Sequence, residues 1–136
     1  MKKIRLERIV LFLLFASFVF CGCDKMGNEH FELYNQTDSV IILKFKVDET
    51  NATSIITKSI ESNKVLNFFT ESTMNKGVSD RFNDSITVFS LFKVGTIKNN
   101  DTVYSSKNFK VRSKWSYSES GRWNSTYQLI IKKEDL

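Results

Sequence analysis

Cysteine is nearly absent from this chain: Cys21 and Cys23 are the only two, and residues 24 to 136 contain none. That stretch can therefore form no internal disulfide, no cysteine-based zinc site and no cysteine nucleophile. Histidine is scarcer still. The single His30 lies in a polar run near the N-terminus and reads as a solvated linker residue, which argues against a histidine-based triad or zinc centre. Proline is missing altogether and glycine occurs five times, so Asn and Asp must serve the turns. No Gly-rich phosphate loop and no calcium-loop spacing can be drawn. No cofactor or metal is expected.

A block of like charge is also missing. The formal charge is +5, but Lys2, Lys3, Arg5 and Arg8 against Glu7 place +3 of it in the first eight residues and leave +2 for the rest. The remaining lysines and arginines are interspersed with acidic residues, which is not the footprint of a nucleic-acid binder.

What the N-terminus does have is a basic stretch, Met1 to Arg8, an apolar stretch, Ile9 to Phe20, and then Cys-Gly-Cys-Asp. This is the layout of an export signal. These twelve residues, apolar except for Ser17, span about 18 Å as a helix, short of the ~30 Å hydrocarbon core, so a cleaved signal helix is favoured over a permanent span. Gly22 before Cys23 resembles the bacterial lipobox, in which the cysteine thiol is acylated before the leader is removed. Phe20 and Cys21 stand where that signal usually carries Leu and a small residue. The likeness implies a signal peptide over residues 1–22, lipid on Cys23 and attachment to the membrane through that lipid. Asp24 to His30 then reads as a flexible tether, giving a lipidated tether over 23–30 and one domain over 31–136. Removing the leader leaves 114 of the 136 residues, enough for one core that buries roughly two-thirds of the unfolded surface.

From Phe31 onward apolar residues alternate between clusters of Asn, Asp, Ser, Thr and Gly, which predicts an all-β, antiparallel, immunoglobulin-like β-sandwich of about seven strands. Strands are expected over 40–47, 54–60 and 64–70, with an apolar central strand over 85–92. Residues 71–84 lack a period and read as loop with a helical turn. A closing hairpin is expected from Phe109–Tyr117 and Trp123–Ile131, joined by 118–122 with Gly121.

That hairpin carries Trp115, Tyr117, Trp123 and Tyr127, whose alternation admits two roles: a buried core face, or a flat surface on which a sugar ring or apolar ligand stacks. In the first case Lys110, Arg112 and Lys114 make a solvated outer face, or a stripe for acidic glycans. The carboxylates fall mostly in turns, and adjacent pairs such as Asp48-Glu49 and Glu134-Asp135 face opposite ways on extended chain, so no catalytic pair is named. Asp38-Ser39-Val40, Asp84-Ser85-Ile86 and Asp101-Thr102-Val103 repeat one pattern. Turn capping explains it. It is also similar to the acceptor motif of the general O-glycosylation system of Bacteroidetes, which implies modification at Ser39, Ser85 and Thr102.

Phe31-Glu-Leu-Tyr-Asn-Gln-Thr-Asp-Ser-Val40, the Ser-Ile-Glu-Ser-Asn turn and the ending Tyr127-Gln-Leu-Ile-Ile-Lys-Lys-Glu-Asp-Leu136 together resemble small lipoproteins of Bacteroidetes. That likeness implies a lipobox signal before a short β-sandwich and brings no activity with it. The expectation is a non-enzymatic, lipid-anchored protein of the cell envelope, in the outer membrane, with a structural or interaction role and an envelope protein as partner. The alternative is a glycan- or small-ligand-binding module built on the C-terminal aromatic hairpin.

Overall fold

The computed structural model describes residues 25–48, 54–74 and 76–136. The signal helix expected over 1–22 and the lipidation expected at Cys23 fall outside the described residues. The described part is all-β, with eight strands: β1 (Met26–Asn35), β2 (Ile41–Val47), β3 (Ile56–Ile60), β4 (Val65–Met74), β5 (Phe89–Lys98), β6 (Asp101–Tyr104), β7 (Trp115–Glu119) and β8 (Asn124–Ile131). They form two four-stranded sheets, β4-β1-β8-β7 and β3-β2-β5-β6. Every pairing is antiparallel except β1 with β8, which run parallel.

Alternation explains the stacking of the sheets. Ile41, Leu43, Phe45 and Val47 are buried along one face of β2, and Phe31 and Leu33 on β1 sit beside Tyr127 and Leu129 on β8. Rings from the two sheets meet between them. Phe31 lies 5.3 Å from Phe89, Phe45 is 5.1 Å from Phe68, and Phe92 is 5.6 Å from Trp115, all in tilted or edge-on geometry, as aromatic quadrupoles prefer. Two register shifts add to this. β4 gains a residue opposite Phe31/Glu32, so the consecutive Phe68 and Phe69 both reach the core. β5 shifts at Lys46/Val47, which lets Phe89 and Phe92, three apart, both point inward.

The departures from the sequence pattern have physical reasons. The first strand begins at Met26 rather than Phe31, so five residues assigned to the tether, His30 among them, are sheet. Their period is masked because the inward positions are held by Gly27 and Glu29 instead of apolar residues. The eighth strand is β6, which follows a two-residue turn with positive φ at both Asn99 and Asn100. Asparagine tolerates that left-handed conformation, and a pair of such residues makes the tight turn whose twist suits a hairpin. The strand expected over 85–92 starts at Phe89 and runs on to Lys98, central in its sheet between β2 and β6. Ser85 makes only an isolated bridge to Val111. The strand expected from Phe109 is shortened to Trp115–Glu119, because Arg112–Lys114 closes a 3-10 turn that swings the buried Phe109 out of register. Glu71 to Met74 continues β4, and no helical turn occurs in the described part of 71–84.

Candidate functional site

The four hairpin aromatics do not form one surface. Trp115 and Tyr127 are core residues. The Trp115 indole N–H donates to the Phe109 carbonyl at 2.8 Å, and the Tyr127 ring stacks on Phe31 at 5.2 Å. The Tyr127 hydroxyl reaches the margin of the core, where it accepts from the Arg81 amide and donates to Asp80 Oδ1, each at 3.2 Å. Burial, reinforced by the Asp80 charge, pushes this phenol up to about 12. Tyr117 is half-buried against Tyr127 and donates to Glu119 Oε1 at 2.8 Å. Its phenol is raised too, by burial and then by that carboxylate. Trp123 is half-buried at the far end of the hairpin, with the Lys25 ammonium 5.9 Å and the Arg122 guanidinium 5.2 Å from its ring. Stacking a ligand on Trp115 or Tyr127 would require opening the core.

Lys110, Arg112 and Lys114 likewise do not line one strand face, since Arg112 and Lys114 fall in a 3-10 turn. Arg112 turns back to grip the Asp80 carboxylate and the Trp115 carbonyl, and Lys114 lies over Phe109 at 5.1 Å. A second cluster surrounds Arg81, which bridges Glu29 at 2.8 Å and also Glu71. Burial raises the Glu29 carboxyl even though Arg81 opposes the shift. At Arg81 burial acts downward, and the bond to Glu71 with the two carboxylate charges outweighs it. The clusters tie the connection between β4 and β5 to the 3-10 turn before β7 and to β1, which sequence spacing could not reveal because the partners are 32 and 52 residues apart.

The Asp80 pair sets a pH dependence. The hydrogen bond from Arg112 holds the Asp80 carboxyl below its ordinary 3.8. A depressed carboxyl contributes stability above its unfolded pKa and loses it as pH falls through the folded one. Asp80→Asn is therefore expected to lower stability near neutral pH and to differ less from wild type below about pH 3, checked by urea melts at both pH values. An unchanged gap would contradict the pairing.

The three hydroxyls of the Asp-Ser/Thr pattern have different surroundings. Ser39 is exposed in the β1–β2 loop, and its Oγ donates to Asp38 Oδ1 at 3.1 Å. The Lys133 ammonium and then Ser39 hold the Asp38 carboxyl below its usual value. An open groove of about 350 Å³ runs beside Ser39, between Thr96, Lys98, Lys133 and Leu136. Thr102 is exposed on β6, an edge strand. Ser85 is half-buried at its bridge to Val111. His30 is on β1, half-buried, within 3.0 Å of Thr70 Oγ1 and 3.2 Å of Asn67 Nδ2.

Among the described residues no three His, Cys, Asp or Glu side chains group to hold a metal, and no helix is long and apolar enough to cross a membrane. No protein-family model, curated protein or solved structure matches this chain.

Proposed function

We propose that this is a lipid-anchored protein of the cell envelope that acts by binding rather than by turnover. Residues 1–22 direct export, Cys23 carries the lipid, and the sandwich meets an envelope protein at the membrane, most simply the outer membrane. The observation that carries the reading is the N-terminal layout: a basic stretch, a twelve-residue apolar stretch and Gly22-Cys23, with β1 opening at Met26. Each acyl methylene contributes about 0.8 kcal/mol of burial, so the several chains of a modified cysteine hold a domain permanently. Support for the immunoglobulin-like form comes from a chain that passes between the two sheets four times; its eight strands are one more than the seven of the constant-type arrangement.

Intact mass and detergent partitioning of the full chain made in a bacterial host, wild type beside Cys23→Ala, test the reading. The wild type is expected to lose residues 1–22, gain acyl mass and follow the membrane fraction, and the variant to gain no acyl mass. Cleavage elsewhere with release of both forms would sink it. In a Bacteroidetes host the same spectrum should show hexose-type mass at Ser39 and Thr102, whose hydroxyls are exposed. Half-buried Ser85 should carry less.

A further inference from the structure

We propose that the N-terminal tip of the β4-β1-β8-β7 sheet, formed by Lys25, Met26, Met74, Lys76, Arg122 and Trp123, is a contact surface for an anionic lipid bilayer. The proposal rests on the lipid-anchor reading and gives the anchored domain an orientation.

These six residues come together from three separate segments. Met26 and Met74 are register partners across β1 and β4. The Asn28 amide donates to the Trp123 carbonyl at 2.7 Å, and the Val78 amide to the Arg122 carbonyl at 3.0 Å. These bonds lock the loop after β4 and the start of β8 against the start of β1. Gly27 permits the approach, since a Cβ there would stand 2.3 Å from the Lys76 carbonyl oxygen. The tip is thus a built surface.

Its composition is that of a membrane interface. Met26 is 49% exposed and Met74 65% exposed, and the same end of the sheet carries the half-buried Trp123, whose indole is the side chain most at home at headgroup depth. Lys25 and Arg122 flank the Trp123 ring and Lys76 lies two residues after Met74; all three are exposed, and among the described residues none has an ion-pair partner. By contrast, Arg81 in the β4–β5 connection and Arg112 in the 3-10 turn before β7 are each matched to a carboxylate. Long basic side chains beside apolar ones bury their stems while their heads meet lipid phosphates.

Position selects the bilayer over a protein partner. Lys25 is two residues from Cys23, and two extended residues reach at most about 7 Å. An acylated Cys23 therefore holds this tip, and no other part of the sandwich, at the headgroups.

The test uses the full chain carrying its anchor, reconstituted in phosphatidylcholine vesicles with or without phosphatidylglycerol, the lipid acyl chains being brominated as a fluorescence quencher. Trp123 and Trp115 are the two tryptophans and Trp115 is buried, so the quenching present in wild type and lost in Trp123→Phe belongs to the tip. Quenching of Trp123 is expected, stronger with phosphatidylglycerol. Lys25→Gln, Lys76→Gln and Arg122→Gln together should reduce it to the phosphatidylcholine level, because each basic residue near an anionic surface raises affinity about five-fold. Acylated, vesicle-bound protein whose Trp123 emission is indifferent to bromine would overturn the proposal and leave the anchor intact. If mass shows no acyl chain, the anchor reading has failed. The same vesicles added to that unanchored chain then decide the tip: quenching with a roughly hundred-fold loss of partitioning in the triple variant supports it, and no quenching overturns it.

Discussion

Phe31→Ala is expected to lower the urea midpoint of unfolding by about 2 M, the largest single effect in the core. Phe31 is fully buried on β1 and its ring meets five others: Tyr127 at 5.2 Å, Phe89 at 5.3 Å, Phe69 at 5.8 Å, and Phe82 and Trp115 at 6.3 Å. These neighbours come from both sheets and from the β4–β5 connection. Truncation removes the ring and leaves a cavity lined by stiff aromatics that collapse poorly. Phe-to-Ala changes of this kind cost about 3–5 kcal/mol, a large fraction of the 5–15 kcal/mol that holds an ordinary domain. His30→Ala, one residue away on the outward face, is the control and should cost well under half as much. Equal shifts in the two variants would mean that Phe31 is not the hub the geometry makes it.

How far the sequence foretells this hub depends on where alternation is kept. β2 and β8 are strictly periodic, and their inward residues are the ones alternation selects: Ile41, Leu43, Phe45 and Val47, then Ser125, Tyr127, Leu129 and Ile131. β1 from Met26 to His30 was illegible because Gly27 and Glu29 take inward positions. Glu29 is tolerated there only because Arg81, 52 residues away, pairs with it. β5 departs from the span that alternation selects because its register shift breaks the two-residue period between Phe89 and Phe92. At the hairpin, the sequence put four aromatics on two strand faces but could not separate core from surface. Trp115 and Tyr127 proved to be core, while Trp123, at the open end, took its character from Lys25 and Arg122. The Gly22-Cys23 pattern behind the proposed anchor is wholly local in sequence and lies outside the described residues.

Asn35 and the loop it precedes are also local in sequence, but their importance emerges only in three dimensions. Asn35 is fully buried at the end of β1. Its Nδ2 donates to the Ser39 carbonyl at 2.8 Å and the Ile60 carbonyl at 3.0 Å. Its Oδ1 accepts from the Thr37 amide at 2.9 Å and the Thr37 hydroxyl at 2.7 Å. One side chain thus fastens the β1–β2 loop to the end of β3, so it joins the two sheets where no apolar residue could satisfy four backbone and hydroxyl partners. Asn35→Ala leaves those partners unpaired, each at about 1–3 kcal/mol when buried. Because some lie near solvent, a total loss of about 2–4 kcal/mol is expected. Asn35→Asp separates donor from acceptor. The carboxylate keeps an oxygen for Thr37 but turns a second oxygen toward two carbonyl oxygens, which repel it, so the variant should be less stable than Asn35→Ala at pH 7. That repulsion and burial must raise the folded-state pKa of the new carboxyl. Its protonated form then donates to one carbonyl, so the sign is opposite to that at Asp80: the variant regains stability as pH falls below the folded pKa. Urea melts of both variants at pH 7 and near pH 4 check this. Asp at least as stable as Ala at pH 7, or no gain by the aspartate variant in acid, would contradict the assignment of Nδ2 to the two carbonyls.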